Sequence, residues 1–571
     1  MFIAFLFCSF SSISQIYFAD EASNIGLTSH SGTLDLGPGV SFADYNQDGW
    51  DDITLTSGSN GALRFYRNSY GLFFEELLLS PAIDYQTRAA TWVDYDNDGD
   101  LDLFVASDEA NNRLFQKTPS GLVDVTSSAG FPTENLWTFG ASWGDINNDG
   151  CLDVYISNRV TGKSITNYLY QNNCDGTFTD VTDSVGLTNV EALSFCSGFF
   201  DINNDGWLDI YVSNDRTDPN FMYKNNGDGT FTDISFSSGT GIVIDAMSVT
   251  VDDFNADGYL DLFITNTPDY ISTMTKGSVL FKNNGDDTFT DISEHSGVNL
   301  NSFSWGSNFF DADNDGDLDL YLACSFDGSN GYQSYAFYEY IGSEVFSQPT
   351  GIGFNNNDKE SYASAIGDIN NDGKIDIVVI NNVDEPPFVW NNQSTTSNNY
   401  LAVTLEGTVS NKNAAGAKIE ISVNGDVQYR YLMLGEGYIS QNSFKEIFGV
   451  GTASTIDYVK VTWPSGLVDV LNNISANSLI HIIEGQTLSA SQVATSNFKV
   501  FPNPVNNSLK VESQHVIKSL VVYSVLGQEV MRKEVEGFNS ELDFGSLNSG
   551  VYFVKVIGSE NTSEVFKVVK Q

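Results

Sequence analysis

The chain has 571 residues, enough for three or four domains of ordinary size, and 41% of them are apolar, which excludes global disorder. Its 26 Lys and Arg stand against 74 Asp and Glu, a formal net charge of -48. A nucleic-acid duplex or an anionic membrane surface would repel such a chain, whereas divalent cations are its natural counter-charge.

Residues 2–13 (FIAFLFCSFSSI) form an apolar run too short to span a bilayer, placed where a signal peptide belongs. Small Ser12 and Ser14 predict cleavage near Ser14, so residues 1–14 read as the signal; bulky Phe7 before Cys8 argues against a lipoprotein site. No other stretch reaches transmembrane length. Cleavage leaves Cys151, Cys174, Cys196 and Cys324, too few for a disulfide scaffold. One or two bridges are allowed, and all three complete pairings stay open.

From residue 15 to 393 one Asp-rich loop recurs seven times. It reads DYNQDGWDD (44–52), DYDNDGDLD (94–102), DINNDGCLD (145–153), DINNDGWLD (201–209), DFNADGYLD (253–261), DADNDGDLD (311–319) and DINNDGKID (368–376). Before each loop comes a short apolar stretch such as CSGFF (196–200), and after it a strand such as LDIYVSN (208–214). A third strand follows (NYLYQNN, 167–173), then a fourth after a DGT-type turn (TFTDVT, 177–182). Four short strands per roughly 50-residue unit predict a propeller blade. The fold class is therefore all-β, a seven-bladed β-propeller with smaller β domains after it.

The seventh unit changes composition after PFVWNN (387–392) without a fourth strand. YFADEASNIGL (17–27) matches TFTDVTDSVGL (177–187), so the mature N-terminus is predicted to supply that strand and hide an edge. Residues 343–354 read as a degenerate fourth strand.

Loop positions 1, 3 and 5 place side-chain oxygens inside a tight turn, Gly at 6 permits the reversal, position 7 offers a carbonyl and Asp at 9 closes the shell. The candidate ligands are Asp44, Asn46, Asp48 and Asp52; Asp94, Asp96, Asp98 and Asp102; Asp145, Asn147, Asp149 and Asp153; and Asp201, Asn203, Asp205 and Asp209. The last three loops add Asp253, Asn255, Asp257 and Asp261; Asp311, Asp313, Asp315 and Asp319; and Asp368, Asn370, Asp372 and Asp376. Hard oxygens without His or Cys favour calcium, up to seven ions. An EF-hand would need Glu at position 12, where these loops carry Leu55, Val105, Ile156, Val212, Ile264, Leu322 and Val379. The plainer reading, polar turns at sheet edges, competes evenly for one loop; seven in register favour metal. These units resemble the VCBS/FG-GAP repeats of bacterial surface proteins and the calcium-bearing blades of integrin α-subunits.

STTSNN (394–399) reads as a linker, and the alternating strands of 400–484 as a small β domain. Asn411, Gly416–Ala417, Gly437–Tyr438, Ser440–Gln441, Phe448–Gly449, Gly451 and Trp463–Pro464–Ser465–Gly466 resemble the ASPIC/UnbV domain, as in cartilage acidic protein-like proteins. Turn-setting Gly and Pro and a core of Trp463 and Phe448 account for these residues without catalysis. Residues 485–496 read as a second linker. The tail, 497–571, with Phe501–Pro502–Asn503–Pro504 and Gly550–Val551–Tyr552, resembles the type A sorting domain of the type IX secretion system. That resemblance implies the secretion machinery as a partner and the outside of a Gram-negative cell as destination.

There is no HExxH and no phosphate loop, and His30, His295, His481 and His515 are scattered. Phe139, Phe195 and Trp305, just before first strands, read as central packing residues, as do Trp137 and Phe303. The sequence favours a calcium-binding, secreted or cell-surface module for an extracellular glycan or protein. The alternatives are a polysaccharide-active enzyme or a structural envelope protein.

Overall fold

The computed structural model describes residues 16–58, 62–77, 83–162, 165–187, 192–268, 277–326, 331–382, 384–486, 498–502, 504–524, 528–558 and 563–570. The signal at 1–14, most of the second linker and Asn503 lie outside the described residues. The chain forms two compact units that divide between Thr487 and Leu488.

The first unit opens with seven four-stranded antiparallel sheets in chain order. The pattern is clearest in sheet 4, with strands Ser194–Phe200, Asp209–Asn214, Phe221–Asn225 and Phe231–Asp233. The first two are buried along their whole length, because neighbouring sheets cover both faces. That explains apolar runs where a one-faced strand would alternate. The fourth is held by Phe231 alone, its other two residues exposed. Each hairpin from first to second strand is one of the Asp-rich loops.

Sheet 7 takes its outer strand from the start of the chain. Phe18–Asp20 pairs antiparallel with Phe388–Asn392, in register Phe18 to Asn392 and Asp20 to Trp390. Phe18 is fully buried against Phe310, Phe337 and Phe354, and its N–H donates to the Ile352 carbonyl at 2.8 Å. In sheet 6 the fourth strand shrinks to Phe346–Ser347. First strands pack side by side from sheet 3 through sheet 7, and that of sheet 7 (Ser361–Gly367) contacts that of sheet 1 (Val40–Ala43), which in turn contacts that of sheet 2 (Ala90–Val93).

After residue 399 come a three-stranded sheet, built on Tyr400–Glu406, and a four-stranded one, built on Lys418–Val423 and Thr455–Thr462. Trp463 and Phe448 are buried in them. The sequence predicts a body set apart by a linker; the structure packs it against the seven sheets as one compact unit.

The reason is the segment 432–445, which reaches the first strand of every sheet. Ser440–Gln441 adds a parallel strand to Val40–Ala43, and Gln441 accepts from Trp92 N and donates to Trp92 O, both at 2.8 Å. Leu434 O accepts from Trp143 N, Ile439 N points to Cys196 Sγ at 3.4 Å, and Gly437 N donates to Val249 O. Asn442 Oδ1 accepts from Asn308 and from Ile366 N. Tyr438 is fully buried at this hub, against Phe195 and Trp305, with its hydroxyl donating to Leu36 O at 2.6 Å. Phe139 packs on Phe195 in the same cluster. Phe303 instead stacks on Phe326 and meets Tyr332 edge-on.

The second unit is one sheet, with Ser508–Ser524 paired to Phe498–Phe501, Glu529–Asp543 and Gly550–Gly558, and the last of these to Ser563–Lys570. Leu509, Val511, Leu520, Val522 and Val554 lie in its core. Among the described residues no helix is long and apolar enough to cross a membrane.

Candidate metal centres

The seven loops share one backbone course. The position-1 carboxylate accepts the N–H of positions 5 and 6: Asp44 from Asp48 and Gly49 at 2.9 and 2.7 Å, Asp368 from Asp372 and Gly373 at 3.0 and 2.8 Å. The position-5 carboxylate accepts from position 7, as Asp205 does from Trp207 at 3.0 Å. Gly at position 6 is left-handed throughout, from φ 80 at Gly373 to 105 at Gly316, as the turn requires.

The position-9 carboxylate turns inward. Asp153 accepts from Ile146 N and Asn172 N, and Asp209 from Ile202 N and Asn225 N. Those backbone bonds already use much of the donor set, so the Asp pattern serves the turn as well as any ion.

Turn geometry leaves two loops unexplained. In the second, Asp94, Asp96 and Asp102 bring carboxylate oxygens within 4.8 Å of one another; in the sixth, Asp311, Asp313 and Asp315 do the same. Among the described residues no Lys or Arg makes an ion pair with any of these six. Burial pushes the Asp102 carboxyl up to about 9, and the charges of Asp96 and Asp94 add to that. Burial, then Asp315 and Asp313, carries Asp311 to about 8. Asp102 Oδ2 and Asp261 Oδ2 are buried without a hydrogen-bond partner. A hard divalent cation fits such oxygen sets. In four of the five loops with Asn at position 3 the amide instead satisfies a neighbour: Asn147 donates to Asp149 at 2.8 Å, Asn203 to Asp205 at 2.9 Å, Asn370 to Asp372 at 3.3 Å and Asn46 to Asp52 at 2.8 Å, while Asn255 Nδ2 is buried without a hydrogen-bond partner.

Position 4 carries a role that the sequence pattern does not disclose. Every residue there is left-handed: Gln47, Asn97, Asn148, Asn204, Ala256, Asn314 and Asn371, φ 52 to 60. Six of the seven reach the position-6 carbonyl of the next loop. Gln47 donates to Gly99 O, Asn97 to Gly150, Asn148 to Gly206, Asn204 to Gly258, Asn314 to Gly373 and Asn371 back to Gly49, at 2.5 to 3.1 Å.

A second circuit runs beneath. The Asn ending each third strand donates to the position-2 carbonyl of the preceding loop: Asn68 to Ile369, Asn172 to Tyr95, Asn225 to Ile146, Asn283 to Ile202 and Asn392 to Ala312. In sheet 2 the Lys117 ammonium reaches Tyr45 O at 2.9 Å instead. Both circuits lack their link between sheets 5 and 6, where Ala256 and Tyr340 stand and a cavity of about 70 Å3 remains.

Position 7 of several loops reaches the turn before the fourth strand of its own sheet. Trp207 lies against Gly227 and Tyr259 against Gly285; in sheet 3 a Cys151–Cys174 disulfide takes that place. Cys196 and Cys324 are buried thiols.

The second domain sits over the loops. Gly150 lies beneath Val409, Gly258 beneath Tyr429, Gly316 beneath Gln428 and Gly373 beneath Tyr400. Position-4 side chains bind it too: Asn97 Oδ1 accepts from Lys412 N, Asn204 Oδ1 from Lys418 Nζ and Asn371 Oδ1 from Lys445 Nζ. Gly49 and Gly206 face open space.

Residues 44–105, 94–156, 201–264 and 266–322 match the FG-GAP-like repeat, residues 407–489 the ASPIC and UnbV family, and residues 499–571 the secretion system C-terminal sorting domain. Cartilage acidic protein 1 of Xenopus tropicalis is 28% identical over 287 residues, 47% of this chain and 41% of that protein. The Mus musculus protein is 22% identical over 464 residues, 78% and 64%. The chain thus spans roughly two-fifths to two-thirds of the length of these relatives. Among solved structures, an Agrocybe aegerita lectin specific for non-reducing terminal N-acetylglucosamine gives a TM-score of 0.36 at 16% identity, covering 64% of this chain and 89% of the lectin. The extracellular domain of a one-component system from B. thetaiotaomicron gives 0.38 at 9% identity, covering 98% and 60%. The sorting domain marks the chain for secretion or cell-surface attachment and for engagement with the secretion machinery. The chain thus carries FG-GAP-like repeats, an ASPIC/UnbV domain and a secretion-system C-terminal sorting domain.

Proposed function

We propose that this protein is an extracellular binding module for a glycan or protein, with calcium held in its Asp-rich loops. The observation that carries the metal is the meeting of Asp94, Asp96 and Asp102 without a cationic side chain to offset them. Buried like charges at that spacing repel unless protonated or bridged by a cation, and oxygen-only ligands select a hard one. The sets at Asp94 and Asp311, each rich in Asp, are the strongest; the five loops with Asn at position 3 hold calcium more weakly, having one charge fewer.

The binding role rests on export, and the GxSxG match at 140–144 (GASWG) does not compete with it: Ser142 is buried inside the strand Thr138–Gly144, its hydroxyl 2.6 Å from that of Ser197, rather than on an exposed turn. The test is calorimetric melting of the full chain in excess chelator and in millimolar calcium. Calcium is expected to raise the melting temperature by about 10 °C or more, and the Asp102→Asn variant to recover only part of that. Superimposable curves, with no heat on titrating calcium into the chelated protein, would end the metal reading.

A further inference from the structure

We infer that the open edge of sheet 6 binds an uncharged saccharide, in a cleft that the shortened fourth strand leaves between Tyr332 and Pro349. The inference rests on the glycan side of the binding role proposed above and needs no metal. The cleft has a volume of about 330 Å3, at the lower end of the range of small-ligand sites.

One change in the repeat opens it. In sheets 2 to 5 the residue that leaves the fourth strand donates its N–H back to the third strand. Val125 donates to Leu114 O, Val181 to Leu169 O, Ile234 to Met222 O and Ile292 to Leu280 O, at 2.9 to 3.0 Å. The hydroxyl that follows accepts the N–H of the same third-strand residue, as Thr182 does from Leu169 and Ser235 from Met222, both at 2.9 Å. Sheet 6 carries Pro349 where sheet 3 has Val181, and proline has no N–H to give. The third-strand residue left waiting is Phe337. Cys324 N donates to Ser334 O at 3.2 Å, and pairs alternate along the ladder, so Phe337, three residues on, turns its N–H and C=O away from Tyr321 and toward the edge. Among the described residues neither group has a partner, although Phe337 is buried. Buried backbone groups left open cost about as much as the bonds they lack, and a ligand in the cleft can supply those bonds.

The rest of the lining selects the ligand. The chain has a net charge of -48, yet no charged side chain lines this cleft. Two half-buried tyrosines do, and other rings hold both in place. Tyr332 meets Phe303 and Phe326 edge-on, each at 5.1 Å, and Tyr335 tilts against Phe354 at 5.1 Å. Gln333 and Gln348 add two exposed amides. Fixed aromatic rings suit the C–H face of a sugar, while amides and open backbone groups match its hydroxyls. An added peptide strand suits the cleft less well. It would use the same edge, but Phe346–Ser347 already pairs with Tyr340 and Glu339 and stops the ladder after Phe337.

The test is titration calorimetry on the full chain in calcium. Cellotriose, maltotriose and mannotriose are the neutral probes, trigalacturonate their anionic counterpart and a Thr/Val hexapeptide the added strand. At least one neutral trisaccharide is expected to bind, at least about tenfold more tightly than trigalacturonate or the peptide. Tyr332→Ala should weaken that binding about tenfold, and Tyr332→Phe by less than about threefold because the ring is kept. Pro349→Val returns the missing N–H to Phe337, so it should weaken binding about tenfold with no loss of stability in urea. Trisaccharide binding unmoved by Tyr332→Ala or by Pro349→Val would refute this cleft and leave the glycan reading standing. Failure of all three trisaccharides to bind overturns both. Equal binding of trigalacturonate, or preference for the hexapeptide, refutes the neutral saccharide.

Discussion

Glu484 is the carboxylate whose surroundings differ most from those of the loops. It is 2% exposed, and one oxygen accepts the backbone N–H groups of Thr408, Val409 and Ser410 at 2.6 to 2.8 Å. The other accepts from the hydroxyls of Ser410 and Ser465. Burial alone would raise its pKa, but the Ser465 hydroxyl and the three N–H groups outweigh it and hold the carboxyl at about 2. The folded value lies below the unfolded one, so the stability it gives is present above pH 4.5 and lost as pH falls from there toward 2. Glu484→Gln should therefore cost roughly 2–3 kcal/mol at pH 7. The gap between the two urea midpoints should narrow by roughly half as the pH is lowered to 3. A gap that does not change with pH would mean that Glu484 acts through shape alone.

At the scale of elements, the ring of loops is stitched by side chains whose purpose is invisible in one repeat. The Asp and Gly positions were legible because they recur within each unit, and the four-stranded sheets follow from the same period. The position-4 Asn was not, since its bond goes to the next loop, and only φ near 55 explains why Asn or Gln is preferred there. The third-strand Asn, such as Asn172 in NYLYQNN, is hidden for the same reason, since its partner lies in the preceding loop. The pairing of Cys151 with Cys174 was one of several open choices, settled by the turn that brings position 7 beside the fourth-strand hairpin. The exception tests the rule. Ala256 is left-handed at φ 57 with no amide to reach Gly316, and the cavity at that seam lies beside both residues. Ala256→Asn should relieve the backbone cost and supply the missing donor, raising stability by about 0.5–1.5 kcal/mol in urea unfolding. The same change at an exposed loop outside the ring should do nothing, and a loss of stability would show that the seam is filled in another way.

At the scale of the whole first unit, the second domain is a stopper as well as a cover. Glycines in the 432–445 segment let the backbone pass where side chains would not. A Cβ on Gly435 would come 2.4 Å from Ala141 O, and Gly437 is left-handed at φ 79. Tyr438 then fills the hub that Phe139, Phe195 and Trp305 leave, and Gln441 pairs both backbone groups of Trp92, which lie too deep for water. The ring and the second domain should consequently unfold together. Tyr438→Ala removes a fully buried ring and should cost about 3–5 kcal/mol. Because the loss falls on the joint, calorimetry in calcium should split one transition into two, the domain at 400–486 melting first. The position-4 residues Asn97, Asn204 and Asn371 link each loop both to its neighbour and to that domain. Chelator should therefore lower the first of the two transitions as well as the second, although the Asp-rich loops belong to the ring. If the first peak stayed in place while the second moved, the loops would not be what seats the domain.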